Sequence, residues 1–217
     1  MKHLTIIFYL VSFTMLVNAQ KVKHGIENKL NLTKYVQSQE VVWYGWDFSN
    51  IKVCDSKIYS YVLTETLIPE WLEKLNNQFS INEMKRKLDK PIFSADLQTV
   101  QNLYKSKDYK QLLTSDKYEL SLDSIKNIVS RYKLANKTGI GAVIILENIN
   151  KPERYVSGYV TFFDIPTREL LWATKMKGLP GGKWGEELYY RNGLIEIYAY
   201  FFAKYYNKAI RNFQISD

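Results

Sequence analysis

Three strand-like segments followed by one long helix occupy the C-terminal part of this chain, and their order constrains the fold more than any other feature. Gly141–Ile149 contains the apolar run of a central strand, Tyr155–Asp164 is rich in Tyr, Val, Thr and Phe, and Glu169–Lys177 follows a proline-containing turn. Glu186–Asn212 then carries apolar residues at helical spacing. We therefore predict an antiparallel meander packed by a long final helix.

Earlier segments alternate between strand and helix patterns. Val41–Trp46 is apolar on both faces, which is typical of a strand inside a sheet that is covered on both sides. Helical spacing of apolar residues follows over Ile68–Phe79 and again over Ser121–Ala135, where Ser121 can cap the first turn. A short helix is also predicted at Asn82–Leu88 and a strand at Ile92–Val100, whereas Tyr104–Leu120 has no clear pattern.

Together these elements predict an α/β fold: one layered domain over residues 41–217, built on a mixed sheet. The length of 217 residues suffices for one domain with a sizeable core. The final helix and the meander should share that core. The side chains expected to be buried together are Ile144, Leu146, Phe162, Trp172, Tyr198 and Phe202.

The first nineteen residues have the pattern of a cleaved secretory signal peptide. A short basic start precedes the apolar run Leu4–Val17, and small or short residues lead to a cut after Ala19. This run is shorter than the roughly 20 apolar residues that span a membrane. We therefore expect a periplasmic or secreted protein with no transmembrane segment in its mature chain, followed by a polar, loosely ordered segment over residues 20–40.

The chain is basic, with a formal net charge of +8. Its positive residues are scattered, apart from small clusters at Lys85–Lys87 and at Lys105 and Lys107. Because an exported destination disfavours nucleic acid as a partner, the charge points to an envelope protein or an anionic envelope polymer. A solvated basic surface that aids solubility explains the same charge without any partner.

Cysteine and histidine are too scarce for several classes of site. Cys54 is the only cysteine and His24 is the only histidine of the mature chain. No internal disulfide, no zinc site built from Cys and His, and no Ser-His-Asp triad is therefore expected. The sequence also lacks the Asp-rich calcium loop, so neither a metal nor another cofactor is predicted.

Paired carboxylates remain open as an alternative, because glycosidases use two of them as acid, base or nucleophile. Asp47, Glu147 and Asp164 are the candidates, since each stands at or near the end of a predicted strand. Aspartates at such positions commonly cap turns, and Glu147 can point outward, so the structural interpretation is favoured for all three. Their gathering in one concave pocket would favour a hydrolase or lyase of an envelope polysaccharide.

The glycine-rich segment Gly178–Gly185 lies before the final helix. Its spacing differs from a Walker A loop, and Trp184 stands where that motif needs Ser or Thr. A flexible crossover is the plainest interpretation. Lys183 and Trp184, with Gly181 and Gly182 beside them, are the candidate partner-binding residues, because an exposed tryptophan on a loop is a frequent interface anchor.

Two stretches resemble a known group of proteins. Gly139–Asn148 and Val160–Trp172, with the glycine-rich loop before the last helix, resemble secreted envelope proteins of Gram-negative bacteria with no assigned activity. The element order over Val41–Asn212 is similar to the fold of the TolB amino-terminal domain and of the curli-secretion and penicillin-binding-protein-activator lipoproteins. That resemblance implies a binding or assembly domain, although this chain lacks the lipid-bearing cysteine of the lipoproteins.

The sequence therefore favours an exported, non-enzymatic domain that binds another envelope component. The polysaccharide hydrolase or lyase with paired carboxylates is the alternative. No functional residue follows from the resemblance.

Overall fold

The computed structural model of the chain describes residues 25–29, 31–55, 60–135, 138–181 and 186–216. Within these ranges seven strands form one mixed sheet. The strands are β1 (Gly25–Lys29), β2 (Glu40–Asp47), β3 (Lys52–Cys54), β4 (Ile92–Ala95), β5 (Ile140–Asn150), β6 (Tyr155–Asp164) and β7 (Leu170–Gly178).

The order of strands across the sheet is β1-β7-β6-β5-β2-β4, and β3 pairs with β5 beyond the end of β2. The pairs β5–β6, β6–β7 and β7–β1 are antiparallel, whereas β2 runs parallel to β4 and to β5, and β3 runs parallel to β5. The α/β fold, the mixed sheet and the antiparallel meander are therefore confirmed.

Eight α-helical segments flank this sheet in the described ranges. They are α1 (Leu32–Gln37), α2 (Ser60–Val62), α3 (Ile68–Gln78), α4 (Ile81–Leu88), α5 (Gln98–Gln101), α6 (Leu122–Ser130), α7 (Glu186–Tyr200) and α8 (Asn207–Ser216). Two π-helical segments, Leu63–Leu67 and Phe201–Tyr206, join α2 to α3 and α7 to α8. The stretch Tyr104–Leu120, which had no clear pattern, overlaps the 3₁₀ turn Leu103–Ser106 and contains the 3₁₀ turn Tyr109–Leu112.

Each face of the sheet carries its own core, because alternate residues of a strand point to opposite faces. On the first face, β2 contributes Val41 and Trp43 to a core that includes α3, α4 and the long C-terminal helix. On the second face, Val42 and Tyr44 pack with α6. All six side chains predicted to share a core lie in the first-face cluster, each with at most 2% of its surface exposed, so that prediction is confirmed.

The N-terminal part is more ordered than the sequence suggested. Residues 20–40 were expected to be loosely ordered, yet β1 pairs with β7 from Gly25↔Met176 to Lys29↔Trp172. The first turn of α1 is capped by Asn31, whose Oδ1 accepts from Lys34 N at 3.1 Å. Tyr35 is fully buried in the first-face core. The prediction rested on the polar composition of this segment, but an edge strand and a short surface helix need few apolar residues. The predicted signal peptide over residues 1–19 lies outside the described residues.

Two other boundaries differ from the predictions. The strand expected over Ile92–Val100 ends at Ala95, because Asp96 accepts hydrogen bonds from Thr99 N and Thr99 Oγ1 at 3.2 and 2.6 Å and begins a helical turn. The helix expected to reach Ala135 ends at Ser130. Beyond it Tyr132 and Leu134 are buried while Lys133 is exposed, which is the two-residue period of an extended chain.

Candidate functional site

Asp47 ends β2 and is fully buried. One carboxylate oxygen accepts from Ser49 N at 2.7 Å and the other accepts from the Tyr132 hydroxyl at 2.6 Å. Burial raises the pKa of Asp47, and these hydrogen bonds, with the charge of Lys107, oppose the rise. The side chain therefore ties the chain that follows β2 to the residues that follow α6.

Glu147 lies on the second face, where β5 shifts its register with β6 between Leu146 and Asn148. Its carboxylate accepts from Leu120 N at 2.6 Å and from Ser157 Oγ at 2.7 Å, and it pairs with Lys175 Nζ at 2.9 Å. Only 1% of the Glu147 side chain is exposed. It thus points inward, contrary to the outward orientation that the sequence allowed.

Asp164 closes the turn between β6 and β7. Its Oδ2 accepts from Thr167 N at 3.1 Å and from Thr167 Oγ1 at 2.5 Å, and Lys34 Nζ lies 3.2 Å away. Burial alone would raise the pKa of Asp164, but the hydrogen bonds from Thr167 and the charge of Lys34 outweigh it and lower the pKa. This is the turn-capping role that the structural interpretation favoured.

The three carboxylates are not assembled into one pocket. Asp164 pairs in register with Ile140 at the start of β5, and Glu147 lies seven residues further along that strand, about 23 Å away at about 3.3 Å per residue. Asp47 pairs with Ile145, but it faces Tyr132 whereas Glu147 faces Lys175. None of the three lines the cavities described below. The geometry therefore gives no support to a paired-carboxylate enzyme.

The predicted partner-binding loop is described only at its start. Gly181 accepts a hydrogen bond through its carbonyl oxygen from Asn192 Nδ2 of α7. Leu179 N donates to Glu196 Oε2 at 2.7 Å. The chain is thus fastened to α7 as it leaves β7. Gly182, Lys183 and Trp184 lie outside the described residues, so their role in contact stays a prediction.

A basic groove of about 480 Å³ lies at the amino-terminal end of β4. Three segments form it: residues 36–39 at the end of α1 and just beyond, residues 86–91 at the end of α4 and just beyond, and residues 206–211 around the start of α8. The charged side chains of this groove are Arg86, Lys87, Asp89, Lys90 and Arg211. Four of these five are cationic, so the groove has a positive balance.

Lys90 holds the walls of the basic groove together. Its Nζ donates to Tyr35 O at 2.9 Å and to Val36 O at 2.8 Å, and it lies 4.8 Å from the centre of the Tyr35 ring. Burial lowers the pKa of Lys90. Tyr206 OH donates to Leu88 O at 2.8 Å and so accepts from Tyr35 OH, also at 2.8 Å. These bonds join α1, α4 and the C-terminal helix.

The other cations of the basic groove are oriented towards solvent. Arg86 and Arg211 are exposed and Lys87 is half-buried. Across the ranges that the structure describes, none of the three forms an ion pair. Because none of the three is held in such a pair, their charge is available to an anionic ligand.

Among the described residues, no three His, Cys, Asp or Glu side chains gather in the manner of a metal site. No helix within the described ranges combines the length and apolarity needed to cross a membrane.

Comparisons with known proteins add no relative. No protein-family model matches the chain, and searches of the curated proteins and of the solved structures give no significant match.

Proposed function

We propose that this protein is an exported, non-enzymatic binding domain of the bacterial cell envelope, and that its basic groove binds an anionic envelope polymer. The observation that carries the proposal is the convergence of Arg86, Lys87 and Arg211 from two separate elements on one groove. The predicted signal peptide supplies the envelope as the compartment.

The distribution of cations in the groove supports a chain-like ligand. It is lined by three separate chain segments, and its exposed or half-buried cations come from two of them, α4 and the C-terminal helix. A polymer lying along it would meet successive positive charges, and each contact would add to the total attraction. Carboxylate and phosphate groups suit arginine in particular, because the guanidinium fork can donate two parallel hydrogen bonds.

The fixed framework of the groove also supports binding. Lys90, Tyr35 and Tyr206 join its walls through hydrogen bonds of 2.8–2.9 Å, so the walls are already in place before a ligand binds. A preformed site loses less conformational entropy on binding than a flexible one.

The test compares two neighbouring lysines of α4. Lys87 lines the groove, whereas Lys85 belongs to the same last turn and does not. Either substitution, Lys87→Gln or Lys85→Gln, removes one positive charge from the same helix end and keeps a good helix former. Binding to fluorescent polygalacturonate is measured by anisotropy, with neutral dextran of similar length as the control polymer.

We expect wild-type protein to bind polygalacturonate and not dextran, with affinity that falls as salt is raised. Lys87→Gln, Arg86→Gln and Arg211→Gln should weaken binding, while Lys85→Gln should leave it near the wild-type value. Equal losses for Lys85→Gln and Lys87→Gln would show that net charge, rather than the groove, drives association. Absence of binding to polygalacturonate and to a polyphosphate chain would overturn the proposal and leave an envelope protein as the partner to seek.

A further inference from the structure

A second, smaller cavity of about 160 Å³ lies at the carboxyl end of β2, on the opposite side of the sheet from the helices of the first-face core. Three chain segments meet there. Ser49 and Asn50 follow β2, Ser106 ends a 3₁₀ turn and Lys107 comes directly after it, and Arg131 and Tyr132 follow α6. We call this cavity the β2 cleft.

The topology of the sheet places the β2 cleft where ligands commonly bind. Strand β2 lies between its two parallel partners, β4 on one side and β5 on the other. The chain between β2 and β4 packs its helices α3 and α4 on the first face, whereas the chain between β4 and β5 packs α6 on the second. In open α/β sheets, the crevice at the carboxyl ends of strands where the connections change sides is the usual binding position.

The chemistry of the β2 cleft is that of an anion site. Lys107 and Arg131 are its two charged lining residues, and both are exposed. Arg131 Nε donates to Asn127 O at 3.0 Å, which fixes the plane of the guanidinium group. Tyr132, which also lines the cleft, donates through its hydroxyl to buried Asp47 at 2.6 Å, so this wall of the cleft is held by a hydrogen bond to the end of β2.

Lys107 also borders a neighbouring cavity of about 450 Å³. This cavity is lined by Thr64 and Glu65 of the first π-helical segment, and by Pro69, Tyr104 and Lys105. A π-helical turn is less favourable than a regular helix and occurs frequently at functional sites. The two cavities therefore offer a narrow cationic end and a wider adjoining space.

We propose that the β2 cleft binds the phosphate group of a small phosphate monoester between Lys107 and Arg131, with the organic part of the ligand in the neighbouring cavity. Two cations that face one small cavity match the charge of a phosphate monoester better than that of a single carboxylate. Arginine suits this group because its planar fork can donate to two phosphate oxygens, while lysine supplies a compact charge.

The experiment titrates the full chain with glycerol 3-phosphate and with glycerol, which lacks the anionic group, by isothermal calorimetry. Lys107→Gln and Arg131→Gln remove the proposed contacts. Lys110→Gln and Lys133→Gln are matched controls, because each removes an exposed cation close by in sequence that does not line the cleft. Arg131→Lys keeps the charge and removes the fork. Thermal unfolding of every variant verifies that it is folded.

We expect saturable binding of glycerol 3-phosphate and none of glycerol. Lys107→Gln and Arg131→Gln should each weaken binding about tenfold or more, and Arg131→Lys should weaken it less. Lys110→Gln, Lys133→Gln and the groove variant Lys87→Gln should bind as the wild type does, which separates this proposal from that of the basic groove. Absence of binding to glycerol 3-phosphate, or binding that Lys107→Gln and Arg131→Gln leave unchanged, would overturn it.

Discussion

Glu147 and Lys175 form an ion pair across strand β6, with 2.9 Å between Oε1 and Nζ. The carboxylate is almost fully buried and the lysine side chain is 11% exposed. Leu120 N and Ser157 Oγ donate to the same carboxylate, and Tyr159 OH donates to Leu120 O at 2.8 Å. This network fastens the chain before α6 to the second face of the sheet.

Removing the lysine from this pair should be strongly destabilising. Lys175→Met leaves Glu147 buried without its cation, and breaking a buried pair in this way typically costs about 3–5 kcal/mol of the free energy of unfolding. Urea unfolding measures the loss. Lys126→Met, which breaks an exposed pair with Asp123, should cost about 0–1 kcal/mol. Similar small losses for both variants would contradict the assigned role of Lys175.

The lowered pKa of Asp164 predicts a specific response to acid. In the folded state its pKa lies below the ordinary value of 3.8, so its ionised form stabilises the fold above about pH 3.8. That contribution is lost as the pH falls through the lowered pKa. The free energy of unfolding, followed from neutral to acid pH, should therefore decline less steeply in this range for Asp164→Asn than for the wild type. If the free energies of unfolding of the two proteins changed with pH in parallel, Asp164 would not contribute to the loss of stability in acid.

Asp47 should respond in the opposite sense. Burial raises its pKa in the folded state, so ionisation is easier in the unfolded chain and disfavours folding as the pH rises past 3.8. Asp47→Asn removes this titration and keeps an oxygen acceptor for Tyr132. The free energy of unfolding of both proteins is measured as the pH is lowered towards 3.8. We expect the wild type to gain stability relative to Asp47→Asn over this range, and a relative loss would contradict the raised pKa.

Phe202 tests the packing of the long C-terminal helix. Its ring is 2% exposed and its centre lies 4.8 Å from that of Tyr198 and 5.2 Å from that of Tyr206. Phe202→Ala should cost about 3–5 kcal/mol, because it removes a buried ring and leaves a cavity. Lys204→Ala, at an exposed position of the same π-helical segment, should change stability by no more than about 0.5 kcal/mol. A loss below about 1 kcal/mol for Phe202→Ala would mean that this helix face is not packed against the sheet.

Gly178 and Gly181 give a matched pair at the end of β7. A Cβ added to Gly178 would lie 1.9 Å from the carbonyl oxygen of Gly193 in α7, so the helix and the strand would have to separate. At Gly181 an added Cβ meets nothing within 4 Å. Gly178→Ala should therefore cost about 1–3 kcal/mol of stability, and Gly181→Ala should be nearly neutral. Thermal unfolding distinguishes the two, and equal midpoints would contradict the close approach of β7 and α7.

The elements with strong periodicity could be predicted from the sequence. The strand Tyr155–Asp164 has the predicted bounds, and β5 and β7 differ from theirs by one residue at each end. Long apolar runs bounded by turns leave little freedom in assignment. The end of α6 was missed because Tyr132 satisfies both a helical and an extended period, and its hydrogen bond with Asp47 joins residues 85 positions apart.

The candidate sites were only partly visible in the sequence. The clusters of positive residues around Arg86 and Lys107 can be recognised in the sequence, and in the structure residues of each cluster line a cavity. Their partners Arg211 and Arg131 come from distant segments, and no local pattern links a residue near the C-terminus to the end of α4. The carboxylates failed as a site for the same reason, because their partners Lys34, Lys175 and Tyr132 are brought to them only by the sheet.

The pairing of β1 with β7 has a consequence for the order in which the chain can assemble. Residues 25–29 find their partner only at residues 172–176, after every other strand of the sheet has been made. The hairpins β5–β6 and β6–β7 join near neighbours in sequence and close small loops, so they can form early. Until β1 arrives, the outer edge of β7 has unpaired backbone groups that could recruit a strand from another molecule. A chaperone that shields this edge would therefore protect the chain until β1 has paired with β7.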